Sequence, residues 1–156
     1  MRSVRPREVK ANVSIDSVSQ ATGGAKLITP RALGLVALGG GLGTLARFAL
    51  GEAIPADQHL VILGINILGA FVLGLIAMLL AGKRPNVLLF ASTGLCGGFT
   101  TYSAFAVGVA ELALMGQGLA ALGLAVATVV GGFIATGLGV WIGTALRTLR
   151  SRGQRS

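Results

Sequence analysis

Four long apolar segments constrain the fold of this chain more than any other feature. They run over residues 32–50, 60–80, 87–115 and 119–146, with short connections between them. An α-helix rises 1.5 Å per residue, so about 20 residues cross the ~30 Å hydrocarbon core of a bilayer. Each segment is close to this length or longer. The sequence therefore predicts an all-α membrane protein with four transmembrane helices.

The composition supports this interpretation and argues against nucleic-acid binding. Hydrophobic residues make up 53% of the 156 residues and charged residues only 12%, which is outside the range of soluble domains. The 25 glycines lie inside the apolar segments, as in closely packed membrane helices. The net charge of +8 comes from the tails and one loop. No basic folded face for nucleic acid is indicated.

Basic residues near the segment ends lie on one side of the predicted membrane domain. The N-terminal region, the second connection and the C-terminal region hold eight of them, and the other two connections hold none. The positive-inside rule then places both termini in the cytoplasm. We expect a disordered tail over residues 1–30, a membrane domain over 31–147 and a basic tail over 148–156. The eight residues are Lys26, Arg31, Lys83, Arg84, Arg147, Arg150, Arg152 and Arg155.

Few polar side chains lie within the predicted spans, and the missing types exclude several functions. The first, second and fourth spans contain no Asp, Glu or His, and Glu111 lies toward the end of the third. A proton-coupled carrier needs a titratable group at depth, and no nucleophile–base or carboxylate pair supports an enzyme. The remaining groups are hydroxyls, Asn66 and Arg47. Such hydrogen-bond donors and positive charge suit a small anion.

Each of these polar groups also has a purely structural explanation. Arg47 lies three residues from the end of its span, where an arginine can extend its guanidinium to the interface. Asn66 can hydrogen-bond a neighbouring helix, and Thr128 can bond its own backbone. The residues alone leave both explanations open.

The stretch GLCGGFTTYSAF, residues 94–105, interrupts the third segment with small and polar residues. Glycines such as Gly97 and Gly98 each weaken a helix by up to ~1 kcal/mol. A break here would free backbone carbonyls, to which a hard cation can bind. A continuous helix whose glycines allow close packing explains the same letters equally well. Tyr102 and Phe105 are three residues apart and share a face of a helix.

Small residues recur every four positions along the fourth segment, at Gly131, Ala135, Gly139 and Gly143. Such a stripe lets two helix backbones approach closely. Because four spans are too few to enclose a solute path comfortably, the stripe could join this chain to a partner. It could equally pack the helices of one chain on each other, and the sequence does not choose.

Three motifs lie on three different segments. They are GGGLGTLARF over residues 39–48, NILGAFVLG over 66–74, and GLCGGFTTYSAF over 94–105. In this order they resemble the first-, second- and third-helix motifs of the Fluc, or CrcB, fluoride channels. The resemblance covers most of residues 32–147. It implies a channel that passively exports cytoplasmic fluoride, protects against fluoride toxicity and lies in the cell membrane of a bacterium.

The resemblance also implies an architecture and a set of site residues. Channels of this family are antiparallel dimers with two pores, in which the broken third helices hold a structural Na⁺ ion. The backbone carbonyls of Gly97 and Thr100 would bind the Na⁺. The fluoride pathway would involve Asn66, Tyr102, Ser103, Phe105, Thr128 and Arg47.

The chain departs from the family motif at three positions. Tyr102 replaces a phenylalanine, Ala104 replaces a common hydroxyl residue, and Gly108 stands where glutamate is frequent, with Glu111 three residues later. In addition, one sequence that inserts in both orientations needs nearly balanced loop charges, which this chain lacks. We therefore expect it to pair with a separately encoded paralogue. The alternative functions are a pore-dead structural subunit of a heterodimer and a small-anion/proton exchanger.

Overall fold

The computed structural model describes residues 29–82 and 84–153, with side chains as far as residue 150. All regular secondary structure in these ranges is helical. The tail expected over residues 1–30 lies outside the described residues, apart from its last two positions. The last three residues of the C-terminal tail also lie outside them.

Five helical elements follow one another along the chain. The third, α3, is continuous and has three parts. It begins with an α-helical turn (Pro85–Leu88), continues as a π-helix (Leu89–Cys96) and ends in a short α-helical turn (Gly97–Phe99). The others are α1 (Pro30–Ala53), α2 (Gln58–Leu80), α4 (Tyr102–Leu114) and α5 (Gly118–Gly153). The predicted third segment therefore appears as two shorter helices, α3 and α4.

Side chains at the connections explain where the helices begin. The Thr29 hydroxyl accepts a hydrogen bond from the Ala32 amide at 3.2 Å, and Pro30 occupies the first turn of α1. The Asp57 carboxylate likewise caps α2. Both side chains accept hydrogen bonds from amides of the first helical turn, which have no backbone acceptor. Gly116, with a φ of 75°, supplies the left-handed turn between α4 and α5.

Three of the described helices are long and apolar enough to cross a membrane, namely α1, α2 and residues 118–150 of α5. Many of their large apolar side chains point away from the bundle, for example Leu38, Phe133 and Trp141. A single soluble protein rarely exposes so much apolar surface. Such a surface is typical of helices surrounded by lipid or by another membrane helix.

The stripe of small residues on α5 packs against α2 of the same chain. A Cβ built on Gly139 would overlap the carbonyl oxygen of Phe71, and one on Gly143 would lie 2.7 Å from Met78 Cβ. The Thr136 hydroxyl adds a 3.3 Å hydrogen bond to the Ala70 carbonyl. The stripe therefore serves packing within the chain, which resolves the alternative that the sequence left open.

Glycines also let α1 lie directly on α3. A Cβ built on Gly43 would overlap the Leu95 carbonyl oxygen, and one built on Gly98 would overlap that of Gly40. Gly94 is equally close to α1, because its Cβ would lie 3.0 Å from the Cα of Gly39. These backbone-to-backbone contacts hold the end of α3 against α1. They thereby bring the polar residues of α1 next to the point where α3 ends.

Candidate functional site

The helical path breaks between α3 and α4. Thr100 and Thr101 are both extended, with φ/ψ of −77°/156° and −146°/118°. The Thr101 hydroxyl accepts a hydrogen bond from the Ala104 amide at 3.2 Å and so caps the start of α4. The structure thus has the break, which the residues alone left as one of two alternatives and the family resemblance implied.

Asn66 on α2 holds the backbone of the break in place. Its Oδ1 accepts a hydrogen bond from the Thr101 amide at 2.8 Å, and its Nδ2 donates to the Thr101 carbonyl at 3.1 Å. Both backbone groups of one extended residue are satisfied by one carboxamide. Irregular backbone in an apolar environment needs such partners, because an unpaired polar group is costly there.

Two side chains of α1 converge on the carbonyl of Gly98. Thr44 Oγ1 donates to this oxygen at 3.3 Å, and Arg47 Nε donates to it at 3.4 Å. Arg47 is only partly exposed, so its guanidinium lies against α3 instead of extending freely outward. The arrangement brings a positive charge to the end of α3.

The carbonyls of Gly97 and Thr100 do not accept the hydrogen bonds that a continuous α-helix would give them, because the amides four residues later have other partners. In an α-helix each carbonyl accepts from the amide four residues later. The Thr101 amide donates to Asn66 instead of Gly97, and the Ala104 amide donates to the Thr101 hydroxyl instead of Thr100. The described residues contain no group of three or more His, Cys, Asp or Glu for a metal ion. A cation in this region would therefore depend on carbonyl oxygens.

The first turn of α4 brings together three residues of the predicted pathway. The rings of Tyr102 and Phe105 lie 5.8 Å apart between centroids, at 53° to each other. Tyr102 is 80% exposed, whereas Phe105 is only partly exposed. Ser103 Oγ lies 3.1 Å from the Thr101 hydroxyl. Aromatic edges and hydroxyls thus share one end of α4.

Thr128 stands apart from this group. Its hydroxyl donates to the Leu124 carbonyl on its own helix, α5, at 2.8 Å. Among the described residues, no hydrogen bond joins it to the residues of the break. Thr128 therefore bonds the backbone of its own helix, which is the structural explanation that the sequence also allowed.

A cavity of about 240 Å³ connects Arg47 with the break. Thr44, Thr101 and Ala104 contribute to its wall beside Arg47, and Glu52 and Gln58 line its other part. Its lining thus includes a guanidinium, a carboxylate, a carboxamide and hydroxyls. The remaining lining residues are mostly apolar, so the wall of the cavity combines polar and apolar groups.

Thr44 and Thr101 are the two residues of this site that the sequence reasoning did not select. Thr101 is the one buried polar side chain among the described residues, at 8% exposure. Both were visible as hydroxyl residues within apolar spans. Their partners were not, because Thr44 contacts a carbonyl 54 positions away and Thr101 is held by a residue 35 positions away.

The sequence profile of the family described as "CrcB-like protein, Camphor Resistance (CrcB)" matches residues 34–140. This range holds α1 from its second turn, α2, the whole break and most of α5. The chain belongs to the CrcB family. It is a multi-pass membrane protein, and its family is one of ion channels rather than enzymes.

Several curated members of the CrcB family are similar to the chain over nearly their full length. A protein of Mesorhizobium japonicum named "Fluoride-specific ion channel FluC" is 39% identical over 118 residues, which is 72% of this chain and 95% of the relative. "Fluoride-specific ion channel FluC 2" of Leifsonia xyli is 42% identical over 74% of this chain and 86% of the relative. A relative of the same name from Natronomonas pharaonis is 38% identical, covering 77% and 98%.

Proposed function

We propose that this chain is a subunit of a fluoride-selective channel that passively exports cytoplasmic fluoride and so protects against fluoride toxicity. The observation that carries the proposal is the helix break, where Asn66 and Ser103 both contact Thr101 and the Phe105 ring lies next to Tyr102, in a family whose relatives are named fluoride channels. Fluoride enters cells as neutral HF at acid pH and ionises inside. A passive anion pore then lets it leave down its gradient.

The break supplies the kind of groups that a small anion requires. A pore must replace the strong hydration of fluoride with hydrogen-bond donors while staying narrow. Asn66 Nδ2 uses one of its two hydrogens on Thr101, and Arg47 has further N–H groups beyond the Nε that faces Gly98. The edges of the Tyr102 and Phe105 rings carry partial positive charge. These are the residues of this chain that would contact the anion.

In this proposal α3 and α4 together form a fourth membrane crossing, with the break inside the membrane. Residues 85–114 are more than enough to cross the hydrocarbon core, even with two extended residues between the helices. Both ends of the chain then lie on one side. The basic residues Arg84, Arg147 and Arg150 mark that side as cytoplasmic, and the membrane is the cell membrane of a bacterium.

The carbonyl oxygens at the break are of a kind that suits a structural Na⁺ ion. The carbonyls of Gly97 and Thr100 have lost their usual helical donors, as described above. Na⁺ is a hard cation that carbonyl oxygens coordinate well, and it would offset the exposed carbonyl dipoles there. Thr44 and Arg47 donate to the Gly98 carbonyl, so the proposed ion would bind the carbonyls of Gly97 and Thr100 instead.

The proposed assembly is an antiparallel dimer with two pores. A single subunit exposes Tyr102 at 80%, and an aromatic pore wall needs a second surface to face. The one-sided distribution of basic residues favours a partner of opposite orientation that is encoded separately. That some relatives are named "FluC 2" is in keeping with paralogous subunits.

The function is tested by fluoride efflux from liposomes that hold the chain together with its partner. We expect Phe105→Ile and Asn66→Ala to lower the efflux rate by about tenfold or more, since each removes a group that replaces water around the anion. Phe133→Ile is the matched control, because Phe133 is 82% exposed on α5. It should conduct like the unmodified chain.

The outcomes separate the candidate functions. Absence of fluoride efflux both with and without the partner would contradict the channel. Efflux that persists in both variants would indicate a pore-dead structural subunit. Coupling of fluoride to protons would show as efflux driven by a pH gradient. A channel instead gives a voltage set by the fluoride gradient alone.

A further inference from the structure

Three titratable side chains meet at the end of the bundle opposite Arg84 and Arg147, outside the site described above. His59 Nδ1 lies 3.2 Å from Asp57 Oδ1, and His59 Nε2 lies 3.5 Å from Glu111 Oε2. We call these residues the His59 cluster. His59 and Asp57 belong to the start of α2, and Glu111 belongs to α4. The cluster therefore links the two helices through one imidazole.

Gly108 gives the imidazole its place on α4. A Cβ built on Gly108 would lie 2.8 Å from His59 Cδ2, so a larger residue at this position would push the ring away. The side chain of His59 is 23% exposed, and those of Asp57 and Glu111 are 58% and 53% exposed. The ring is thus held by α4 while both carboxylates remain in contact with water.

The number of N–H groups on the ring decides whether both carboxylates are satisfied. A neutral imidazole has one N–H donor and one lone pair, and an imidazolium has two N–H donors. When Nδ1–H donates to Asp57, the neutral ring turns a lone pair toward the Glu111 carboxylate. Protonation replaces this lone pair with a donor, and the contact becomes an ion pair.

Within residues 29–82 and 84–150, no further charged side chain pairs with His59. The face of α5 beside it is apolar and lines a cavity of about 350 Å³ with Ala120, Gly123 and Leu124. Glu52 lines a different cavity, at the end of α1. Among the described residues the ion pairs of His59 are the two given above.

Asp57 keeps its charge when the medium becomes mildly acid. Hydrogen bonds from the backbone amides of Leu60 and His59 lower the pKa of the Asp57 carboxyl below its usual value. The two carboxylates contact opposite nitrogens of the ring, so they cannot converge on one metal ion. The geometry is that of a bridge and not of a metal site.

We propose that His59 is a pH-dependent bridge that ties α4 to the start of α2 more strongly as the medium is acidified. Acidification favours the imidazolium, whose second N–H supplies the donor that the Glu111 carboxylate needs. The inference does not depend on fluoride transport. If the chain conducts as proposed, the bridge steadies the half-helix that carries Tyr102 and Phe105 under the acid conditions in which HF enters cells.

A double-mutant cycle on thermal unfolding tests the bridge. His59→Gln, Glu111→Gln and the double variant of this chain are melted in detergent at about pH 5.5 and about pH 8. We expect a coupling of about 1–3 °C between the two positions at the acid pH and a smaller one at the higher pH, because both groups are partly exposed and a neutral ring can donate to only one of the two carboxylates. His59 is the only histidine of the chain, so any affinity tag of histidines is removed first.

The control cycle pairs His59→Gln with Glu52→Gln. Glu52 is an exposed carboxylate at the end of α1 and should show no coupling to His59 at either pH. Coupling of equal size at both pH values would overturn the proposal, and so would its absence at both. Because the readout is stability, neither result bears on whether the chain conducts fluoride.

Discussion

At the scale of single residues, Asn66 has a more definite role than its sequence position indicated. It was predicted to line the pathway, and the alternative was a hydrogen bond between helices. In the structure it makes two hydrogen bonds to the backbone of Thr101, and its second Nδ2 hydrogen remains for another acceptor. One carboxamide can therefore serve both purposes. Its use in the fluoride pathway stays a prediction.

The two hydrogen bonds of Asn66 predict the effect of one substitution. Asn66→Asp replaces the donor Nδ2 with an oxygen that faces the Thr101 carbonyl, so we expect a loss of about 1–3 kcal/mol in the free energy of unfolding. Thermal unfolding in detergent measures it. Asn86→Asp makes the same chemical change at an exposed position in the first turn of α3 and should have little effect. Equal effects of the two variants would contradict the role of Asn66.

At the scale of helices, the close approach of α1 and α3 positions the break. Gly43 and Gly98 touch carbonyl groups of the facing helix, so the two backbones pack with almost no side chain between them. This approach brings Thr44 and Arg47 within hydrogen-bond distance of the Gly98 carbonyl. The glycines of the GGGLGTLARF and GLCGGFTTYSAF motifs therefore form one contact between α1 and α3.

The helix contact is tested by adding one methyl group. In Gly98→Ala the new Cβ would overlap the Gly40 carbonyl oxygen, so α1 must move away, at a cost of about 1–3 kcal/mol in stability. We also expect fluoride efflux to fall, because Arg47 then loses its contact with α3. Unfolding temperature and efflux rate are both measured.

Gly41→Ala is the control for the same chemical change. A Cβ on Gly41 meets nothing within 4 Å, and alanine favours a helix over glycine by up to ~1 kcal/mol. This variant should be as stable as the unmodified chain or slightly more stable. If Gly98→Ala behaved in the same way, α1 and α3 would not depend on that glycine for their contact.

At the scale of the whole molecule, one chain presents a surface that it does not cover by itself. Its large apolar side chains point outward and Tyr102 is 80% exposed, while the small-residue stripe of α5 is already occupied by α2. A dimer would therefore use other faces than this stripe. The proposed antiparallel partner must insert in the opposite orientation, because Lys and Arg occur in the two terminal regions and the connection between α2 and α3 of this chain but not in its other two connections.

The heterodimer predicts a difference between the chain alone and the chain with its partner. Liposomes that contain only this chain should conduct fluoride about tenfold less than liposomes with a coexpressed paralogue of reversed loop charge, because one orientation cannot complete the antiparallel pore. Copurification of the two chains provides an independent measurement. Robust efflux from the single chain would contradict the heterodimer and leave the channel function in place.

The sequence by itself determined the membrane class of this protein, the approximate position of most of its apolar helices and its family. These properties depend on local quantities, namely the length of an apolar run, the letters of a motif and the composition of a connection. For this reason the segment predicted at 60–80 corresponds closely to α2, and the one at 119–146 matches the start of α5, which continues to Gly153. The motif GLCGGFTTYSAF likewise identified the family without any structural information.

Only the tertiary structure decided which groups meet. A glycine in the sequence permits a close approach but does not specify the partner, so the stripe on α5 had two explanations until α2 was found against it. The break between Thr100 and Thr101 depends on a carboxamide from another helix, at Asn66. Likewise, His59 and Glu111 meet only because α2 and α4 pack together. Hydrogen bonds between distant positions form when packing brings their helices together, and that packing is a property of the whole bundle.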